Sequence, residues 1–170
     1  MTKTPPKASL RPFLPADAPM LAAIFRASVE DLTADDYDDD QRNAWAAVAE
    51  DEGAFGRKLA GLLTLVATID GAPAGFAALK GQDKIEMAYV YPTVAGQGIG
   101  TMLVDALEKL CKGRGATRLT VDASDTAKTF FEHRGFKAQQ RNVVPLNGQW
   151  LANTTMEKRL EPAHPKAAAR

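Results

Sequence analysis

The most restrictive stretch of this chain is KIEMAYVYPTVAGQGIGTMLVDALEKLCKGRG, Lys84 to Gly115. Ile85, Met87, Tyr89 and Tyr91 alternate with Glu86, Ala88 and Val90, the period of two that marks a strand. Pro92 removes a ladder donor and ends that strand. Gly96, Gly98 and Gly100 follow at alternate positions, and Met102, Leu103, Ala106, Leu107 and Leu110 then repeat at helical spacing. The join carries chemistry. The first amides of a helix lack intrahelical partners, and the helix dipole adds partial positive charge there. Glycines leave the backbone bare, so Gly96, Gln97, Gly98, Ile99 and Gly100 are placed to turn N–H groups toward an anion. That anion belongs to a nucleotide, a dinucleotide or coenzyme A.

Two generic phosphate motifs fail on spacing. A P-loop requires Lys and then Ser or Thr after its second glycine, whereas Gly100 is followed by Thr101 and Met102. A dinucleotide fingerprint requires glycine at its sixth position, which here is Thr101. Asp122 lies roughly where a ribose-binding acid would sit, but only about fifty residues follow it, too few for a doubly wound domain.

YVYPTVAGQGIGTMLVDAL resembles the acetyl-CoA-binding motif of the GNAT superfamily of N-acetyltransferases, which runs Gln or Arg, two residues, Gly, one residue, then Gly or Ala. Gly98 and Gly100 match its small positions, and Ala95 stands where Gln or Arg is usual. The resemblance extends from Leu10 to Leu160 and is densest over Tyr89 to Phe136. It implies an α/β (mixed α+β) GNAT-like fold. The sheet would be central, mixed and mostly antiparallel, of about six or seven strands, with a parallel strand–helix–strand crossover and flanking helices. It also implies that acetyl-CoA is the co-substrate, with no metal. The loop from Ala95 to Thr101 would hold the cofactor mainly through backbone amides. The pantetheine arm would lie along the backbone at Ala88 and Val90, and Ser124 and Phe131 would border it. Many family members carry at the position of Phe131 a tyrosine whose hydroxyl can protonate the departing thiolate. Phe131 cannot do this.

Composition narrows the rest. A chain of 170 residues suits one domain with a real core, expected over 8–160 between an N-terminal arm (1–7) and a C-terminal tail (161–170). Lys and Arg number 21, as do Asp and Glu, so no general attraction to nucleic acid or anionic lipid is implied. Cys111 is the only cysteine, which excludes an internal disulfide. No apolar run approaches membrane length, and MTKTPPKASLRPFLP lacks a signal-peptide core. The expectation is a soluble cytoplasmic protein without nucleic-acid or membrane partners. The resemblance admits a homodimer.

Along the chain, Leu10 to Phe13 reads as an edge strand and Asp17 as the cap of a helix burying Met20, Leu21, Ile24, Phe25 and Val29. Asp36, Asp38 and Asp40 alternate like calcium ligands. Gln41 and Ala47 stand where the loop's glycine and bidentate glutamate would be required, so an acidic, helix-capping turn is the better reading. Ala44, Trp45 and Val48 form the inner side of a second helix; the resemblance makes Tyr37 and Trp45 candidates for an acceptor wall, while Trp45 by its own chemistry reads first as core. Thr64 to Ile69 and Ala74 to Leu79 flank Asp70-Gly71 as a hairpin. Ser124 caps a helix closed by Gly135. Phe136 to Val144 and Leu151 to Lys158 form a closing pair, joined through Asn147-Gly148 by more than a minimal turn.

Acetyl transfer to an amine needs the thioester held beside the nucleophile, a donor for the carbonyl oxygen, and a base for the ammonium proton. Glu86 is the candidate base, placed by parity on the strand face of Ala88 and Val90. Tyr89, with Tyr91, is a candidate proton relay, and Asn142, Trp150 and Asn153 are candidates for the acceptor side. The acceptor is the amine of a small molecule or a peptide. Two rival readings remain: a non-catalytic coenzyme A-binding module, motivated by Ala95 and Phe131, and a nicotinamide-dependent oxidoreductase.

Overall fold

The computed structural model describes residues 7–161; the arm and tail expected at the chain ends lie outside them, apart from Lys7 and Glu161. Lys7 is fastened to the first hairpin. Its N–H donates to Asp70 Oδ1 (3.0 Å) and its carbonyl accepts from Asp70 N (2.9 Å). The elements in order are β1 (Ala8–Pro12), α1 (Ala18–Leu32), α2 (Asp39–Ala46), α3 (Glu52–Ala60), β2 (Leu63–Ile69), β3 (Ala72–Lys80), β4 (Lys84–Val90), α4 (Ile99–Gly113), β5 (Arg118–Ser124), α5 (Lys128–His133), β6 (Lys137–Leu146) and β7 (Gln149–Arg159). The strands form one sheet in the order β1-β2-β3-β4-β5-β7-β6. Only β4 and β5 are parallel, joined through α4. The mixed sheet with one strand–helix–strand crossover is therefore the one expected. No helix among the described residues is long and apolar enough to cross a membrane.

Side-chain alternation builds a core on each face of this sheet. In β3, Ala77 and Leu79 join Leu103, Leu107 and Cys111 of α4 and Phe131 of α5. Phe76 and Ala78 join Leu21, Ile24 and Phe25 of α1 and Phe55 and Leu59 of α3. Gly75 lets α4 close down on the sheet, because a Cβ there would meet Tyr89 O at 2.9 Å and Ile99 Cγ2 at 3.1 Å. Met20, expected on the buried face of α1, is 49% exposed.

Three local expectations are corrected. Asp17 gives α1 no side-chain cap. Its carboxylate takes a bidentate bond from Arg11 (2.7 and 2.8 Å) and the Leu14 N–H (2.8 Å), so it closes the 3₁₀ turn Pro15–Asp17 instead. The guanidinium is the stronger partner, and its hydrogen bond holds the Asp17 carboxyl below the usual carboxylate range. Ser124 Oγ accepts from Ala127 N (3.1 Å), capping the turn before α5 rather than the helix itself, and Asp125 lies in that turn. The connection of β6 to β7 is the minimal one. Leu146 pairs with Gln149, and Asn147 (φ 46) and Gly148 (φ 84) make the two-residue turn. The strand continues through Pro145 because β6 is an edge, where a missing donor faces solvent.

Candidate active site

The sheet divides after its first parallel pairs. β4 meets β5 only at Lys84↔Thr120 and Ile85↔Val121. Beyond these, β4 keeps β3 on one side and β5 keeps β7 on the other. Against β3, Ala78 pairs with Met87 and Leu79 with Ile85, so Glu86 is the extra residue of a β-bulge. A bulge bends its strand and adds local twist, and this one sits where the two strands part. It also interrupts alternation. Ile85 packs in the α4 cluster, whereas Met87, two residues on, packs in the α1 cluster. Parity with Ala88 and Val90 therefore does not place Glu86, which lines the opening as the bulged residue.

A cavity of about 810 Å³ occupies this opening and runs from the α4–α5 side to the α1 side. Ala88 and Val90 of β4 line it, as do Ala95, Gly96, Gly98, Ile99, Gly100 and Thr101 of the loop and first turn of α4. Ser124 and Phe131 line it from the opposite bank, and Glu86 and Tyr89 complete the set. Gln97 is exposed and outside it. Asn142, half-buried, lies outside it too, as do Tyr91 and Trp150, 39% and 63% exposed. Tyr37, Trp45 and Asn153 do line it. Cys111 is a buried core residue whose thiol pKa burial pushes up, and His133 is exposed.

The glycine loop has the geometry of an anion cradle. Gly96 (φ 80) and Gly98 (φ 88) take left-handed conformations that other residues adopt only at a cost. Met102 N is the first amide of α4 to find a backbone acceptor, Gly98 O at 3.0 Å. The amides of Gly98, Ile99, Gly100 and Thr101 therefore have no backbone acceptor among the described residues. No acidic residue stands in this first turn to compete for them. A Cβ on Gly98 would meet nothing within 4 Å, so the site is open toward its ligand.

At the other end the wall is aromatic. Trp45 Nε1 donates to Tyr89 Oη (3.2 Å), leaving the tyrosine its own proton to give. Tyr89 packs edge-on to Phe25 with ring centroids 4.6 Å apart. Burial pushes its pKa up to about 12, so it is a neutral hydroxyl in the physiological range. Tyr37 donates to Ala152 O (2.6 Å) and accepts from Asp125 N (2.9 Å), which fastens the α1–α2 turn across to β7 and the β5–α5 turn. Beside these, Glu86 Oε2 is buried and has no hydrogen-bond partner among the described residues. An unpartnered buried carboxylate oxygen is costly unless something binds there. Two acids of the 35–40 turn serve as cap and latch. Asp38 caps α2 by accepting from Gln41 N, and Asp36 accepts from Thr126 Oγ1.

Sequence reasoning missed Ser28, Leu32 and Thr33 at the end of α1, and Val144, Leu146 and Leu151 of the β6–β7 hairpin, all of which line the cavity. No local pattern marks them, because long-range contacts bring them there.

Residues 33–160 match the family model described as acetyltransferase (GNAT) domain. The chain belongs to the GNAT acetyltransferase family. It is 35% identical over 155 residues to the uncharacterized N-acetyltransferase YafP of Escherichia coli K12, covering 91% of this chain and 97% of that one. A crystal structure of a GCN5-related N-acetyltransferase from Rhodopseudomonas palustris is 57% identical, with a TM-score of 0.89 over 94% of this chain and 99% of that one. The PaiA N-acetyltransferase of Thermoplasma acidophilum, solved in complex with coenzyme A, shares the fold at 19% identity and a TM-score of 0.73, over 90% and 99% of the two chains. Within this GNAT chain, Phe131 packs against Phe130 and Phe136, each with centroids 5.2 Å away, and offers no hydroxyl. The bare glycines, the unpaired edge of β4 and the size of the opening fit a nucleotide thioester.

Proposed function

We propose that this chain is an acetyl-CoA-dependent N-acetyltransferase acting on a primary amine by direct transfer in a ternary complex. The observation that carries this reading is the single opening that joins the glycine cradle to the unpartnered Glu86 carboxylate through the parting of β4 and β5.

Bound acetyl-CoA supplies an acyl group already activated as a thioester. The chain does the remainder. The backbone amides of Gly96 and of Gly98 to Thr101 would grip the diphosphate, with the dipole of a 15-residue helix behind them, whereas the Gln97 N–H is spent on Val94 O (3.3 Å). The free edge of β4 at Ala88 and Val90 aligns the pantetheine arm as an added strand and offers an N–H where charge develops on the carbonyl oxygen. Glu86 takes the ammonium proton, directly or through one water, which frees the lone pair that attacks. Tyr89 orients the amine with its retained proton. Phe131 has no hydroxyl, so this side chain would give no proton to a departing thiolate.

The test pairs calorimetry with turnover. Acetyl-CoA should bind the wild type, and Gly98→Val should weaken it at least about tenfold by forcing a left-handed residue and filling the cradle. With a panel of amines, Glu86→Gln should lower kcat by about 100- to 1000-fold while leaving acetyl-CoA affinity unchanged. Tight coenzyme A binding with no amine acylated would establish the non-catalytic module that Ala95 and Phe131 suggest. Binding of NAD in place of coenzyme A would overturn both.

A further inference from the structure

We infer that the acceptor is a monoamine with an uncharged, apolar body, and that carboxylate-bearing amines and diamines are excluded. This deepens the acetyl-transfer reading and rests on it only for the position of the amine, beside Glu86.

The inference follows from which polar groups remain free around the acceptor end. Among the described residues, no Lys, Arg or His lines the cavity, and Glu86 and Asp122 are its only charged residues. Asp122 is already engaged, with Lys84 Nζ at 3.2 Å and the Thr155 hydroxyl at 2.7 Å. Several polar ends of the wall are turned on protein partners. Trp45 Nε1 is spent on Tyr89, the Tyr37 hydroxyl on Ala152 and Asp125, and the Thr33 hydroxyl on Val29 O. Asn153 Oδ1 accepts from Asn142 Nδ2 at 2.9 Å. What faces the ligand is ring surface, the side chains of Leu32, Val144, Leu146 and Leu151, one open carboxylate oxygen, and neutral groups alone besides: the Tyr89 and Ser28 hydroxyls and the Asn153 amide nitrogen.

Such a surface recognises one cation and a hydrocarbon or aromatic body. A carboxylate on the acceptor would be desolvated next to Glu86 with no cation to meet it. A second ammonium would be buried against the apolar wall without a counter-ion. An uncharged ring or chain meets neither obstacle and buries apolar surface against the wall.

The test is equilibrium binding to the protein saturated with coenzyme A, so that it does not depend on turnover. Phenethylamine, phenylalanine, cadaverine and 2-phenylethanol are titrated by calorimetry. Phenethylamine should bind, and phenylalanine, which differs by the carboxylate, should bind about 100-fold more weakly. Cadaverine should fall behind by a similar factor. Phenethylamine should also outbind 2-phenylethanol in the wild type, and Glu86→Gln should remove that preference. Leu146→Arg should bring phenylalanine to within about tenfold of phenethylamine by supplying the missing cation. Equal or tighter binding of phenylalanine or cadaverine overturns the inference, as does undetectable binding of phenethylamine. Phenethylamine that binds as expected but is never acetylated sustains the inference and defeats the catalytic reading.

Discussion

At the scale of single residues, the site depends on where protons are held. Tyr89 is surrounded by Phe25, Phe76 and Trp45, and its hydroxyl is kept neutral by burial, with a pKa of about 12 against an ordinary 10.0. The unfolded chain ionises this phenol at its ordinary value. Between pH 10 and about 12 the folded state thus binds the extra proton, and its stability falls as pH rises through that window. Urea midpoints measured from pH 9 to 12 should decline less steeply for Tyr89→Phe than for the wild type. Equal slopes would show that the phenol is not shielded. Glu86 illustrates what a sequence withholds at this scale. Its type and its neighbourhood were legible, but a bulge leaves no trace in an alternating pattern, and only the pairing of Met87 with Ala78 and Ile85 with Leu79 shows it. Asp17 makes the same point: an acid before a helix reads as a cap until an arginine six residues earlier claims both oxygens.

At the scale of elements, α4 must be held firmly, because its first turn is the cradle. One end is fixed by Gly75, which lets Ile99 approach the sheet. Further along, Glu108 meets Lys158 Nζ of β7 at 2.9 Å and Lys112 Nζ at 3.4 Å. Burial raises the Glu108 pKa, but the two ammonium groups outweigh it and the net shift is downward. A depressed carboxylate contributes stability that is complete above its ordinary value near 4.5 and lost as pH falls through the lower folded value. Glu108→Gln should cost about 1–2 kcal/mol at pH 7, and the gap between variant and wild type should narrow below pH 4.5. A gap that stays constant on acidification would mean that the loss is one of packing and not of charge. The strand–turn–helix run was readable because two periodicities meet at a glycine cluster. The β6–β7 turn was misread because the strands were expected to stop at Val144 and resume at Leu151, and edge position, which lets β6 run on through Pro145, is a property of the assembled sheet.

At the scale of the whole molecule, the sheet is joined across its middle by two residue pairs and by α4. A ligand lying between β4 and β5 would bridge both halves and should stabilise the fold strongly. At a hundredfold excess over Kd the gain is about 2.7 kcal/mol, or about 5–10 °C in Tm for a chain of this size. Thermal unfolding with acetyl-CoA should show that rise, and NAD at equal concentration should not. The acceptor wall was the least legible part of the chain. Its pieces come from α1, the turn at Tyr37 and the β6–β7 hairpin, over a hundred positions apart, and are assembled by bonds such as Tyr37 to Ala152 and Asn147 Nδ2 to Ala44 O (2.9 Å).

The narrow seam between the sheet halves also falls between two contiguous parts of the sequence. The glycine loop and β4 lie before Gly115, and the β6–β7 hairpin lies after it. A chimera spliced at Gly115 would trade one portion of the acceptor wall for another, at the cost of two rungs of the sheet and of any change in the packing of α4 on Phe131 and Met156. Recombination between related chains at this point would thus leave the glycine loop unchanged, provided that the incoming half presents a carbonyl where Tyr37 meets Ala152 and a cation where Glu108 meets Lys158.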